Sequence, residues 1–242
     1  MTKALIAEIF PGKPAIIAGL SLWSQRLTVF FLLKAAMIPT SSPPRLILAS
    51  SSAYRRELLE RLRLPFDVMV PDIDESPLPG EKPETTALRL ARCKAQAIAA
   101  RAPGSVVIGS DQVATLDGEQ IGKPGNHANA LVQLQKMRGR RVVFHTALCL
   151  WDGRASALTL ACQLENVQTF VTFRNQPDAE LDAYLRIEQP YDCAGSAKNE
   201  GLGIAILERI DSTDPTALTG LPLIALTGML RKAGFTFFTQ DT

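Results

Sequence analysis

The chain has 242 residues, 46% hydrophobic and 21% charged, which is enough to bury a core as one domain or two joined lobes. Its formal net charge is only +2, so the composition excludes a surface that binds nucleic acid through general charge, and any attraction for phosphate must be local. The four cysteines lack CxxC spacing, which favours reduced, buried thiols over a disulfide framework.

The first 44 residues differ from the rest of the chain. An apolar run from Leu27 to Leu33 is shorter than the roughly 20 residues of a membrane-spanning helix, and no clear small-x-small cleavage site follows it. We expect residues 1–44 to be an extension that is disordered or upstream of a true start at Met37, with a weak membrane-surface helix as the alternative. The domain is then expected over residues 45–238, in the cytoplasm and without a membrane partner.

From residue 45 onward, strand and helix patterns alternate along the chain. We predict strands at 45–50, from 66, at 105–116, 141–153, 164–175 and 201–211, and helices at 52–64, 82–102, 126–140, 178–188 and 220–234. Asp117-Gly118 predicts a turn after the third strand, and Gly139 predicts the end of the third helix. This mixed order predicts an α/β fold with an antiparallel portion.

The segment after the first strand favours an anion. Ser50 precedes a helix whose first turns contain Arg55 and Arg56. Unpaired backbone amides at a helix N-terminus attract negative charge. Basic residues are unfavourable there, so we expect a negative group to offset them. Taken alone, the segment favours a plain helix cap with solvated arginines.

Acids and bases also gather where other strands end. The acids are Asp72, Asp74, Glu75 and Asp111, and the bases are Lys94 and Lys123. Mg²⁺ binds one or two protein carboxylates together with water and phosphate oxygens, while lysine and arginine neutralise the remaining phosphate charge. The pattern therefore predicts a site for a divalent metal and a polyphosphate.

Two other nucleotide-binding motifs do not match this sequence. A phosphate-binding P-loop needs a longer spacing than that between Gly118 and Gly122, and Pro124 stands where Ser or Thr must reach the metal. The segment GLGIAI lacks the third glycine of a dinucleotide fingerprint and opens a predicted strand. His127 and His145 have no metal-ligand spacing and no clear nucleophilic companion, so we interpret both as packing or surface residues.

Several segments, in this order, together resemble the Maf family of nucleoside triphosphate pyrophosphatases. They are LILASSSAYRRELLERL, DIDESP, ALRLARCKAQAIA, VVIGSDQV, IGKP, LQKMRGRRVVFHTAL, YDCAGSAKNEGLG and DPTALTGLPLIAL. The resemblance implies the HAM1 (ITPase-like) fold, with an elongated, twisted mixed sheet flanked by helices and two lobes around a central cleft. It also implies hydrolysis of a nucleoside triphosphate to the monophosphate and diphosphate, a divalent cation (Mg²⁺ or Mn²⁺) and a possible homodimer.

The resemblance also implies roles for individual residues. Asp111 matches the proton acceptor, Glu75 joins it at the metal, Ser50, Arg55 and Arg56 match the triphosphate-binding loop, and Lys94 and Lys123 match lysines that face the phosphates. A free aspartate has a pKa of roughly 3.9 and nearby cations lower it. We therefore expect Asp111 to be a weak base that needs help from the metal.

Three positions bear on the choice of base. Gln112 follows the matched acid, and Glu200 lies in the segment SAKNEGLG; both resemble the branch of the family that hydrolyses 7-methyl-GTP. Glu200 would accept hydrogen bonds from the guanine edge, and Tyr54 would stack on the cationic base. The alternatives are a dTTP, UTP or CTP pyrophosphatase of the same family and a nucleotide-binding regulator of septum formation or division without catalysis.

Overall fold

A computed structural model describes residues 44–154 and 161–238 of the chain. The expectations for residues 1–43 therefore lie outside the described residues. Within those ranges, seven strands run over Leu46–Ala49 (β1), Asp67–Met69 (β2), Val106–Leu116 (β3), Glu119–Ile121 (β4), Arg141–Asp152 (β5), Cys162–Phe173 (β6) and Leu207–Ser212 (β7). The α-helices there run over Ala53–Glu60 (α1), Pro83–Arg101 (α2), His127–Met137 (α3), Asp178–Glu188 (α4) and Leu223–Lys232 (α5).

All seven strands belong to one mixed sheet. Its order is β2-β1-β3-β5-β6-β7, and β4 pairs with β3. Strand β1 pairs in parallel with both β2 and β3. The pairs β3–β5, β5–β6 and β6–β7 are antiparallel. The predicted α/β fold with an antiparallel portion is confirmed.

Helices cover both faces of this sheet. Helix α2 packs on one face, against odd-numbered residues such as Val107 and Ala147. On the opposite face, α1 and α5 pack near Leu148, while α3 and α4 pack near Phe144. Leu148 and Phe144 point to the same face, because residues an even number apart along a strand do so. They belong to two separate apolar clusters, one toward each end of β5.

Gly109 brings helix α2 unusually close to strand β3. A Cβ atom at this position would lie 2.2 Å from the carbonyl oxygen of Ala91 and 2.8 Å from the backbone nitrogen of Ala95. Only glycine fits this spacing, because real side chains do not approach backbone atoms so closely. The glycine in VVIGSDQV therefore sets the distance between α2 and the residues that follow it on β3.

Two predictions about elements need correction. The segment from Gly201 was predicted to be a strand, but Leu202–Ile206 forms a 3₁₀ helix and the strand begins only at Leu207. Strand β4 was missed; it pairs with β3 through a hairpin in which Asp117 and Gly118 both have positive φ, as a tight two-residue turn requires. No helix in the described ranges is long and apolar enough to cross a membrane.

Candidate active site

A cleft opens at a gap in the pairing of strand β3. One edge of β3 pairs with β5 from Val106 to Thr115. At the other edge, β1 pairs with β3 only as far as Gly109, and the pairing of β3 with β4 begins only at Ala114 of β3. Residues 110–113 therefore have no strand beside them at that edge among the residues described. A cleft of about 650 Å³ lies at this gap.

The open edge lets both faces of β3 contribute to one cleft. Neighbouring strand residues point to opposite faces of a sheet. Asp111 and Gln112 nevertheless both line the cleft, because no strand separates their side chains at this edge. Asp111 faces helix α2, whereas Gln112 lies on the other face.

Two acids meet one buried ammonium inside the cleft. The Nζ atom of Lys94 lies 2.7 Å from Oδ1 of Asp111 and 3.0 Å from Oε1 of Glu75. Lys94 comes from α2, Asp111 from β3 and Glu75 from the segment after β2. Lys94 and Asp111 are 5% and 7% exposed, whereas the side chain of Glu75 is largely open to solvent.

Burial reverses the expected pKa direction of Asp111. Loss of solvent raises the pKa of the Asp111 carboxyl above its ordinary value, and the opposing pull of Lys94 and Arg55 does not cancel that rise. The sequence-based expectation of a lowered pKa is therefore wrong, because it counted nearby charges and not desolvation. A raised pKa makes this carboxylate a better proton acceptor than an exposed aspartate.

The loop after β1 and the first turn of α1 line the cleft, and of the two arginines in that turn only Arg55 faces it. Ser50 Oγ accepts from the backbone nitrogen of Ser52 at 3.1 Å, and Ser52 caps helix α1. Arg55 Nε donates to the carbonyl oxygen of Gly220 at 2.8 Å. Burial lowers the pKa of Arg55 from its usual value, while Asp111 and Glu75 act against that shift. Arg55 and the two acids therefore share one electrostatic environment.

The loop before α5 also lines the cleft, next to Arg55. Asp214 is buried; Oδ2 accepts from the backbone nitrogen of Ile224 at 2.7 Å and Oδ1 from that of Thr216 at 3.1 Å. Gln112 Nε2 donates to the carbonyl oxygens of Ala217 and Leu218 at 3.1 and 3.0 Å. Sequence reasoning missed Asp214; an Asp followed two residues later by Thr, before a predicted helix, is the sequence signal that indicates such a loop anchor.

The far end of the cleft contains the residues predicted to choose the base. Tyr54 at the start of α1 and exposed Glu200 both line the cleft. The Nζ atom of Lys198 lies 5.7 Å from the centre of the Tyr54 ring. Burial raises the pKa of the nearby Cys193 thiol to about 12, so this thiol is not an activated nucleophile.

The structure does not bring every predicted residue into the cleft. Ser50, Lys123 and Gln112 line it together with the residues above. Arg56 does not; it is exposed and its Nε atom pairs with Glu60 Oε1 at 3.1 Å. Asp72 and Asp74, together with both histidines, also lie outside the lining of the cleft as the described residues define it.

Glu75 and Asp111 are the residues that could hold a divalent cation. Both carboxylates lie within 3.0 Å of a single ammonium, so they face a common point. Within residues 44–154 and 161–238, no cluster of three or more His, Cys, Asp or Glu side chains could hold a metal. The donor set therefore fits an ion that takes its other ligands from water and phosphate, as Mg²⁺ does.

Comparison with known proteins adds an independent finding. A family model described as "Maf-like protein" matches residues 45–233. A "7-methyl-GTP pyrophosphatase" from Cupriavidus metallidurans is 69% identical over 195 residues, covering 81% of this chain and 96% of that protein. One of the same description from Burkholderia pseudomallei is 70% identical over 200 residues, covering 81% and 91%. The solved Staphylococcus aureus Ham1 protein is 15% identical with a TM-score of 0.45, covering 78% of this chain and 99% of its own.

Proposed function

This chain belongs to the Maf family, and from that premise we propose that it hydrolyses 7-methyl-GTP to 7-methyl-GMP and diphosphate. The observation that carries the proposal is the buried contact of Asp111 with Lys94, with Glu75 on the same ammonium. These groups combine a proton acceptor with fixed positive charge, which transfer of a nucleotidyl group to water requires.

Asp111 is the proposed general base. Its position in the middle of β3, with backbone pairing to β5 at Ala147, fixes the carboxylate against the cleft. A rigid strand holds a reacting group more precisely than a free loop. Without a bound cation, burial raises the pKa of Asp111, which favours its carboxylate as the acceptor of the proton from a water aimed at the α-phosphorus.

Positive side chains along the cleft are proposed to bind the triphosphate. Lys94 orients both acids and offers its charge to the phosphates, while Arg55 and Lys123 line the same cleft. Charge that develops on the departing diphosphate is stabilised by such groups because they are already in place. When bound, a Mg²⁺ or Mn²⁺ ion held by Glu75 and Asp111 supplies further positive charge beside the phosphates.

Base recognition is proposed for Tyr54 and Glu200. Methylation at N7 gives guanine a positive charge, which favours an aromatic face and a carboxylate over neutral partners. Glu200 is exposed at the rim and can accept from the N1–H and amino groups of the guanine edge. The names of the Cupriavidus and Burkholderia relatives support this choice of nucleotide.

A diphosphate-release assay tests the proposal. Wild type is compared on 7-methyl-GTP, GTP, dTTP, UTP and CTP with Mg²⁺ or Mn²⁺, and the nucleotide product is identified by mass. We expect 7-methyl-GMP and diphosphate, with the highest kcat/KM for 7-methyl-GTP. Release of orthophosphate would contradict the reaction, and a preference for pyrimidines would contradict the base assignment.

A matched pair of variants tests the rim carboxylate. Glu200→Gln is expected to lower kcat/KM for 7-methyl-GTP by about ten- to hundred-fold, because a hydrogen bond to a charged group is worth roughly 1.5–3 kcal/mol. The rate with UTP is expected to change little. Glu208→Gln, on an exposed position of β7, serves as the control. Equal behaviour of the two variants would remove Glu200 from base recognition.

A further inference from the structure

The loop that carries Glu200 is tied to the end of helix α4 by one carboxylate. Glu188 Oε2 accepts from the backbone nitrogen of Leu202 at 2.8 Å. Glu188 Oε1 lies 3.2 Å from Nζ of Lys198. Glu200 lies between these two anchored positions, so one side chain fixes the segment on both sides of it.

The Glu188 carboxylate is well enclosed for an acid. Its side chain is only 14% exposed, compared with 31% for Lys198. The hydrogen bond from Leu202, followed by the interaction with Lys198, lowers the pKa of Glu188 and keeps the carboxyl ionised. A charged acceptor makes stronger hydrogen bonds than a neutral one. The two contacts therefore hold the loop more firmly than neutral hydrogen bonds would.

Two glycines allow the loop to close around this anchor. A Cβ atom at Gly201 would lie 2.7 and 2.8 Å from the two Glu188 carboxylate oxygens. A Cβ atom at Gly203 would lie 2.4 Å from the carbonyl oxygen of Lys198, and Gly201 N donates to that same oxygen at 3.1 Å. Residues 198–203 thus form a tight turn packed directly on Glu188.

The same carboxylate also restrains a cation beside the base-stacking candidate. The ammonium that pairs with Glu188 is the one that lies 5.7 Å from the Tyr54 ring centre. An uncompensated ammonium at this place would repel a positively charged base. Pairing with Glu188 reduces that repulsion and holds the ammonium at a fixed position.

We propose that Glu188 is a positioning residue for base selectivity: it holds the turn 198–203 so that Glu200 faces the cleft, and it neutralises Lys198 beside Tyr54. The inference rests on the proposed function, because it assumes that Glu200 recognises the base. Glu188 itself is not among the residues that line the cleft, so it acts through its neighbours.

The test compares kcat and KM of full-length variants on 7-methyl-GTP and UTP. Glu188→Ala is expected to raise KM for 7-methyl-GTP about ten-fold, the size of one lost orienting contact. Its kcat and its kinetics on UTP are expected to stay within about two-fold of wild type. Glu188→Gln keeps an acceptor for the Leu202 backbone nitrogen, so its KM for 7-methyl-GTP is expected to rise less than that of Glu188→Ala. Glu180→Gln, an exposed acid on the same helix, is the matched control and should change neither substrate.

A double variant separates positioning from a general structural effect. Because Glu188 acts partly through Glu200, the combination Glu188→Ala with Glu200→Gln should lose less on 7-methyl-GTP than the sum of the two single losses, since coupled residues are not additive. Gly201→Ala, whose new methyl group displaces the Glu188 carboxylate, should reproduce the rise in KM. These variants keep the test open if Glu188→Ala does not fold.

The outcomes distinguish this inference from the proposed function. If wild type fails to release diphosphate from 7-methyl-GTP, the proposed function fails first. If wild type is active and Glu200→Gln loses selectivity, but folded Glu188→Ala keeps it, only the positioning role is overturned. Additive losses in the double variant, or equal losses on both substrates, would also overturn it.

Discussion

Asp111→Asn tests the proposed chemistry most directly, because asparagine keeps the shape of the side chain and removes its capacity to accept a proton. Asp111 is 7% exposed and its Oδ1 atom lies 2.7 Å from Lys94 Nζ. An asparagine oxygen can still accept from that ammonium. Removing a positioned general base lowers rates by about 10²–10⁴-fold. We therefore expect kcat for 7-methyl-GTP to fall by that factor while nucleotide binding persists.

The variant is expected to stay folded. Glu75 still faces Lys94 at 3.0 Å, so the buried ammonium keeps a partner. Because the pKa of Asp111 is raised in the folded protein, the protonated carboxyl contributes fully to folding stability below the ordinary aspartate pKa. That contribution is lost as the pH rises through the folded-state pKa. At neutral pH, asparagine removes that unfavourable ionised state and partly offsets the weakened ion pair. We expect the free energy of unfolding to fall by no more than about 1–3 kcal/mol, the range for one altered buried polar contact.

The assay combines diphosphate release at saturating 7-methyl-GTP with calorimetric titration of the nucleotide and thermal denaturation. Asp117→Asn, in the turn that follows the same strand, is the matched control, since asparagine also accepts its positive φ. Unchanged turnover in folded Asp111→Asn would remove Asp111 from the mechanism. Loss of binding with kcat retained would assign it a binding role instead.

Three further substitutions follow from the same geometry. Lys94→Met removes the larger of the two positive charges that oppose the raised pKa of Asp111, so the acidic limb of the kcat/KM profile should move to higher pH. An unmoved limb would contradict the assignment of that limb to Asp111. Arg55→Ala should lower kcat/KM by about ten-fold or more through the loss of a charged phosphate contact. Arg56→Ala should lower kcat/KM by a smaller factor, and an equal loss would place Arg56 in the site. Gly109→Ala should lower the free energy of unfolding by about 1–3 kcal/mol or more through overpacking against α2. Thermal denaturation measures this loss, and unchanged stability would refute the close approach of α2 to β3.

Much of the fold was predictable because its long elements have clear periodicity. The alternating pattern of β5 and β6 gave their bounds within two residues, and helix α4 was predicted over its full observed range. Strand β4 was not predictable, since three residues are too few to show a period of two. The segment at Gly201 carries an apolar pattern typical of a strand, but the loop packs on Glu188 and folds as a 3₁₀ helix instead.

Part of the set of residues that line the cleft was predictable from the sequence, but their geometry was not. Acids and bases near strand ends correctly indicated Glu75, Lys94 and Asp111 as neighbours. The predicted strand 105–116 already contained Asp111, but grouping this residue with acids at strand ends was wrong, because it lies in the middle of β3 and is reached through the gap between β1 and β4. That gap depends on strand register, which no local pattern encodes. The pKa direction of Asp111 was missed for the same reason, because burial is a property of the assembled fold.

The open edge of β3 also changes how the residue after Asp111 should be interpreted. The family resemblance linked Gln112 to the choice of base, which suggests direct contact with the nucleotide. In the structure its Nε2 atom donates to the carbonyl oxygens of Ala217 and Leu218. The same loop offers the carbonyl oxygen of Gly220 to Arg55. A shorter side chain at position 112 could not reach these carbonyls, so we expect this residue to act on substrate choice indirectly, through the position of the loop 217–220 that lines the cleft.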